Sequence, residues 1–243
     1  MLLYTDLAAW WPLLSPPPHY VEEAAELLPL LEPAPGMTLL ELGSGGGSLA
    51  WHLRSHFLLT LTDLSPEMLA VNRALNPQAE FVQGDMRTAR LDLQFDRVLL
   101  HDAVMYMTSE EDLRAALTTA RLHLKPGGIL VVLPDCVKET FEAETSHGGE
   151  DGADGRALRY LEWTWDPEPA DTTYDVVYAL VIRESNGTTR TLQDRHLEGL
   201  FPRAAWLRIF AEVGLDVRIE RDTWRKDVFV AVRREQQAVS RSL

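Results

Sequence analysis

The sequence predicts an α/β fold, a parallel sheet with helices on both faces that carries an antiparallel β insert. Three observations point to it. From residue 38 to residue 133, apolar runs of strand length alternate with stretches of helical spacing, the pattern of βαβ units with right-handed crossovers. The first such run, Leu39-Leu40-Glu41-Leu42, passes directly into Gly43-Ser44-Gly45-Gly46-Gly47-Ser48, and Leu49, Leu53 and Phe57 then share one helical face. This reads as strand, tight loop and helix N-terminus. Between residues 157 and 198, three β-like stretches follow one another with no helix between them, which is hairpin rather than crossover connectivity.

Residues 1–20 mix Tyr4, Trp10, Trp11 and Tyr20 with Pro16-Pro17-Pro18, and proline forbids a continuous helix there. Val21, Ala24, Ala25, Leu28 and Leu31 recur at helical spacing over 20–31, until Pro33-Ala34-Pro35-Gly36 stops the helix. Core strands follow at 38–42, 58–62, 80–83, 95–100 and 129–133. The fourth is almost wholly apolar, as a strand covered on both faces must be. Ser65-Pro66 caps and opens the helix after the second strand, and a helix over 110–124 is closed by Lys125-Pro126-Gly127-Gly128. Residues 140–156 are acidic and glycine-containing and are expected to be mobile. The insert strands are 157–165, 173–183 and 188–196, the last two joined at Ser185-Asn186-Gly187, a strong hairpin signal. A helix over 202–213 ends at Gly214, and 215–221 with 228–233 forms a terminal antiparallel pair before a frayed tail. The expected division is a cofactor-binding domain (1–139 and 199–234), an insert acting as lid or dimer element (140–198), and a flexible tail (235–243).

A chain of 243 residues suffices for one large α/β domain with a small appendage. The formal charge of −14 argues against a nucleic-acid partner, and Arg218, Arg221, Arg225 and Lys226 read as the solvated edge of a hairpin. Cys136 is the single cysteine, so no internal disulfide forms and a cytoplasmic setting is expected. The apolar stretch 1–14 is short, contains Asp6 and lacks a basic leader; neither a signal peptide nor a membrane span is expected from it.

The glycine loop lets a ligand lie against bare backbone, and the helix start behind it offers free N–H groups. Glu41 separates the possible ligands. A carboxylate there meets a cationic amino group and repels a pyrophosphate, which favours S-adenosylmethionine (SAM) over a dinucleotide. Asp63, about twenty residues downstream at a strand end, is placed to accept from both ribose hydroxyls.

Four motifs carry a family resemblance: Glu41-Leu-Gly43-Ser-Gly45-Gly-Gly47, Asp63-Leu64-Ser65, Gly84-Asp85-Met86 and Leu124-Lys-Pro-Gly-Gly128. Over 38–134 and 202–233 the chain resembles class I SAM-dependent methyltransferases. The resemblance implies a Rossmann-like seven-stranded sheet whose last strand is antiparallel, with SAM as cofactor and S-adenosylhomocysteine as product. The Tyr4 segment, the insert and His196-Leu-Glu-Gly199-Leu-Phe201 are similar, more narrowly, to small-molecule N-methyltransferases, including those acting on amino sugars.

On this reading Glu41, Gly43, Ser44, Gly45 and Gly47 hold the methionine part of SAM, and Asp63 the ribose. Asp85 takes the adenine amino group, with Met86 on the ring and Leu64 lining the adenosine. The resemblance adds Tyr4 and the backbone at His101 as cofactor contacts. Methyl transfer from a sulfonium needs mostly proximity and alignment, so no nucleophilic residue is demanded. His101, Tyr106 and His196 are the candidate catalytic side chains, and Trp11, Tyr20, Tyr106 and His196 the candidates for acceptor contact. Tyr106 departs from the similar sugar enzymes, which often carry a histidine near this place. Tyr4, Trp10, Trp11 and Tyr20 offer ring faces to the sulfonium as a lid. Trp163, Trp165 and Tyr178 pack the insert or a subunit interface, and a homodimer through the insert is expected.

No metal site is expected, because the histidines are scattered without ligand spacing. Methyl transfer to nitrogen or oxygen of a small soluble acceptor is the first functional hypothesis. An NAD-dependent oxidoreductase is the second, since Gly45-x-Gly47-x-x-Ala50 also fits a dinucleotide fingerprint. A SAM-binding scaffold or regulator without turnover is the third.

Overall fold

The computed structural model describes residues 1–224 and 226–233. The N-terminal segment consists of short 3-10 turns around a single-turn helix α1 (Trp11–Leu14) and leads into α2 (Val21–Leu31). The order then runs β1 (Thr38–Leu42), α3 (Ser48–Leu53), β2 (Leu58–Asp63), α4 (Pro66–Leu75), β3 (Glu80–Gln83), β4 (Phe95–Leu100), a 3-10 turn (Asp102–Tyr106), α5 (Glu110–Leu122) and β5 (Leu124–Val132). Strands β6 (Glu144–Gly148), β7 (Ala157–Trp165), β8 (Thr173–Arg183) and β9 (Thr189–Gly199) precede α6 (Arg203–Glu212), β10 (Leu215–Arg221) and β11 (Asp227–Arg233).

Seven strands form one sheet in the order β10-β11-β5-β4-β1-β2-β3; β11 runs antiparallel to both β10 and β5, and the remaining pairs are parallel. The seven-stranded expectation is thereby met. Strand order reverses between β1 and β4, the topological switch point where α/β sheets bind ligands beyond their carboxyl ends. Alternation along β1 explains why the sheet is covered twice. Leu40 and Leu42 face the cluster built with α5 and α6, and Leu39 faces the cluster built with α2 and α3. Trp206, Phe210 and Phe229 are almost fully buried in the first cluster, with Trp206 stacked on Phe229 at 5.0 Å.

The insert differs from expectation in one strand. Glu144–Gly148, inside the stretch expected to be mobile, pairs antiparallel with β7, so the second sheet has four strands, β6-β7-β8-β9. Its alternation is masked in the sequence by glutamate, histidine and glycine on an edge strand, which needs only one partner. The hairpin at Asn186-Gly187 is present, with Gly187 donating to the Glu184 carbonyl at 2.9 Å. Strand β5 begins at Leu124, earlier than expected, because Lys125–Gly128 continues the strand rather than only closing the helix. The expected frayed tail and Arg225 lie outside the described residues. Leu3, Leu7, Trp10, Leu13 and Leu14 pack against Leu158, Leu180 and Ile182 on the inner face of the insert. The N-terminal segment is thus clamped between the insert and the glycine loop. Among the described residues no helix is long and apolar enough to cross a membrane.

Candidate active site

The glycine loop is fixed from three sides. Gly43 and Ser44 donate their N–H groups to the Thr62 carbonyl at 2.9 and 2.8 Å. Gly43 adopts φ +79°, and a Cβ there would stand 2.5 Å from Ala103 Cβ and 2.8 Å from Met86 Cε. Two asparagines four residues apart, Asn72 on α4 and Asn76 just past its end, support the loop from behind. Asn72 Nδ2 donates to Ser44 Oγ at 3.0 Å and to the Gly45 carbonyl at 3.2 Å, and Asn76 Nδ2 donates to the Gly47 carbonyl at 3.0 Å. Both are buried, and the sequence reading missed them. Their signal was two amides four residues apart, one on the last turn of a helix and one at its C-terminal cap.

Glu41 is 2% exposed, and its Oε2 has no hydrogen-bond partner among the described residues. Burial raises its pKa to about 8, against the opposing charge of His101. A buried acceptor of this kind is costly alone and is satisfied by a cation, so the site fits the α-ammonium of SAM and disfavours a pyrophosphate. Asp63 ends β2 beside it. Its oxygens accept from Gly45 N at 2.8 Å and Ser65 N at 2.9 Å; burial raises its pKa, and these N–H groups oppose the rise.

Asp85 is chelated by Arg87, whose Nη2 donates to Oδ2 at 2.6 Å, and Arg87 also bonds Asp112 at 3.0 Å. This pairing holds the Asp85 pKa below its ordinary value. Met86 lies over Gly43, whereas Leu64 is 63% exposed, at the rim.

The N-terminal segment lies across the loop. A Cβ on Gly46 would stand 2.1 Å from Trp11 Cδ1, so Trp11 packs against the glycine loop. Ser48 Oγ donates to the Ser15 carbonyl at 2.6 Å, and Ser65 Oγ to the Tyr4 carbonyl at 2.5 Å. Tyr20 bonds Ser15 through its hydroxyl at 2.7 Å and presents its ring to His101 at 6.1 Å.

His101 is held by Glu23 and lies 3.2 Å from Asp102. Burial disfavours its charge, but Asp102 and Glu23 outweigh that and raise its pKa well above the ordinary range. The imidazole that the sequence offered as a base is thus engaged by two acidic neighbours. Ligand atoms of Glu23, His101 and Asp102 lie within 4.8 Å of one another, a grouping the scattered histidines did not foretell.

Tyr106 and His196 do meet. Tyr106 Oη lies 2.7 Å from His196 Nδ1 and 2.8 Å from Tyr4 Oη. His196 is 1% exposed, and burial lowers its pKa, with Asp194 opposing. It is therefore neutral near neutral pH and retains a basic nitrogen. At the same sheet edge a cleft of about 260 Å³ opens between Glu23, Asp102, Trp224 and Lys226, with Lys226 paired to Asp135 at 2.8 Å. The paired lysine was not legible from a basic cluster read as a solvated edge.

Residues 39–128 match the model of the methyltransferase domain. The dTDP-3-amino-3,4,6-trideoxy-alpha-D-glucopyranose N,N-dimethyltransferase of Streptomyces venezuelae is 30% identical over 218 residues, covering 88% of this chain and 91% of its own. The sugar N-methyltransferase KedS8 from Streptoalloteichus superposes with a TM-score of 0.79 at 26% identity, over 89% of this chain and 88% of its own. CalS10, an amino pentose methyltransferase from Micromonospora echinaspora solved with SAM bound, shares the fold at a TM-score of 0.71 and 24% identity, over 95% of this chain and 91% of its own. A glycine loop beside a buried carboxyl group with one oxygen unpaired among the described residues, and a likeness that runs nearly the whole chain, point the same way, away from the NAD and scaffold readings: this protein belongs to the class I methyltransferases of amino-sugar type, enzymes that take their methyl group from SAM.

Proposed function

We propose that the protein methylates the nitrogen of an amino sugar. The full-length likeness to an amino-sugar N,N-dimethyltransferase carries this reading, and the neutral His196 bonded to Tyr106 supplies chemistry suited to an amine. SAM brings an activated methyl group on a sulfonium. On this reading Glu41 receives its ammonium, Gly43, Ser44, Gly45 and Gly47 pass close to the methionine part, and Asp63 accepts from the ribose. Asp85 retains acceptor capacity beyond its bonds to Arg87 and takes the adenine amino group. Met86 packs on the ring, Leu64 closes the rim, and the His101 backbone and Tyr4 complete the pocket. Tyr20, Tyr106 and His196 face the acceptor, which enters beside Glu23 and Lys226. The test is incubation with SAM and dTDP-3-amino-3,6-dideoxyglucose, read by mass spectrometry. Methylated amine is expected; methylation of hydroxyl analogues alone would move the reading to oxygen.

The insert, taken as its own unit (140–198) beside the cofactor domain (1–139 and 199–234), serves both expected roles on this proposal. Its inner face closes the site, and its outer face joins two copies. Trp163, Val181 and Leu197 support this, being 50%, 47% and 50% exposed on that outer face. Light scattering is expected to give a dimer for the wild type and a monomer for Trp163→Arg; a wild-type monomer rejects the interface. A cytoplasmic setting rests on the lone thiol of Cys136, and the charge of −14 favours a partner set without nucleic acid.

A further inference from the structure

Alternation on β9 turns Asp194, His196 and Glu198 inward, all buried, while Arg195 and Leu197 point outward. His196 Nε2 lies 3.1 Å from Asp194 Oδ2, and Asp194 Oδ2 also accepts from Leu3 N at 2.8 Å. A carboxylate only accepts, so the single proton of the neutral imidazole sits on Nε2 and the lone pair on Nδ1. The one proton of the Tyr106 hydroxyl must then point at Nδ1. Tyr4, 2.8 Å away, has to be the donor to Tyr106. The direction of every bond in the chain therefore follows from Asp194, and the Tyr4 oxygen is left with lone pairs for an incoming donor.

We propose that Asp194 is a positioning residue that sets the resting direction of a proton relay, acceptor nitrogen to Tyr4 to Tyr106 to His196. The proposal rests on the N-methylation reading above. When the acceptor nitrogen takes the methyl group, an N–C bond forms, the C–S bond breaks with its electron pair left on sulfur, and the nitrogen becomes an ammonium. Its N–H proton passes to Tyr4 Oη, the Tyr4 proton to Tyr106 Oη, and the Tyr106 proton to His196 Nδ1. The amine regains its lone pair, which a second methylation of the same nitrogen requires. The imidazolium that results faces the Asp194 carboxylate. Water at Tyr4 returns the chain to its starting state by drawing the proton back.

The other groups packed on His196 fit this role. Tyr4 and Tyr178 lie with ring centroids 5.5 and 5.2 Å away. Tyr178 is tied to Glu162 of β7, Glu198 is occupied by Tyr174 at 2.5 Å, and the Met1 amino group opposes a charge on the imidazole. Asp194 is the carboxylate bonded to the ring. Burial disfavours its own charge, yet the Leu3 N–H and His196 bonds hold its pKa below the ordinary value, so it is ionised.

The test uses the full chain and Asp194→Asn. With dTDP-3-amino-3,6-dideoxyglucose as acceptor, the variant is expected to lose about 100-fold in kcat, with KM for SAM little changed and the dimethyl product reduced more than the monomethyl. Asp194 raises the His196 pKa, so its removal moves the acid limb of the pH profile to lower pH. Asp194→Glu is expected to restore part of kcat. An Asn variant with the wild-type plateau and limb overturns the relay. Nitrogen NMR on histidine-labelled wild type is expected to show the Nε2–H tautomer, and Nδ1–H overturns the relay whether or not any amine is turned over. Exclusive methylation of hydroxyl acceptors with the Nε2–H tautomer in place instead overturns the nitrogen reading and leaves the order of bonds standing.

Discussion

Gly43→Val is expected to leave no SAM binding measurable by calorimetry and to lower the melting temperature. Two independent costs meet at this position. Gly43 sits at φ +79°, where a β-branched residue is strained by about 1–3 kcal/mol. The new Cβ would also stand 2.5 Å from Ala103 Cβ, a stub on the turn after β4 rather than the tip of a flexible chain, and overpacking of that kind costs about 1–3 kcal/mol. Together these correspond to a fall of roughly 5–20 °C for a chain of this size. Relief requires the loop and the turn after β4 to part, and that separation disrupts the crevice at the switch point. Gly36→Ala is the control. Gly36 has a similar φ of +80° but nothing within 4 Å of an added Cβ, so strain alone should cost some stability and leave SAM affinity intact. Wild-type affinity in Gly43→Val would detach the glycine loop from cofactor binding.

What the sequence made legible divides along a physical line. Short-range signals were readable. Ser65 accepts from Met68 N as a cap at 3.0 Å, Asn186-Gly187 turns a hairpin, and the runs expected as strands formed strands in the expected order, buried except for the edge strand β3. These depend on a few neighbouring residues and on period. Contacts made across the fold were not readable. Nothing local announces that Glu23 of α2 would neutralise His101, seventy-eight residues away, or that Asp194 would orient His196 beneath Tyr106. Trp11 was legible as an aromatic near the site but not as the group lying on Gly46, because three prolines hide the path of the segment. Strand β6 was hidden because edge strands tolerate polar and glycine residues. Glu41 is the instructive exception. It was picked out by position alone, and the structure adds that its carboxylate is buried with one oxygen unpaired.

Glu41→Gln is expected to weaken SAM binding by about 10–100-fold, the worth of one charge-assisted hydrogen bond, with little loss of stability at pH 6. The reason lies in its protonation. Burial raises the Glu41 pKa to about 8 from an ordinary 4.5, so the free protein holds this group as a neutral acid near neutral pH, and glutamine imitates that state. The sign of the pH dependence follows. Between pH 4.5 and 8 the folded chain keeps a proton that the unfolded chain has lost, so this contribution to stability is complete below 4.5, declines as pH rises, and is gone above about 8. In Glu41→Gln that component of the decline is absent. An incoming ammonium favours the carboxylate form, so SAM binding at pH 7 must expel the Glu41 proton. Calorimetry in phosphate and in Tris at one pH is expected to give different binding enthalpies for the wild type, because the two buffers absorb that proton with different heats, and equal enthalpies for Glu41→Gln. Equal enthalpies in the wild type would place the ammonium elsewhere, since a buried neutral acid cannot pair with a cation and keep its proton.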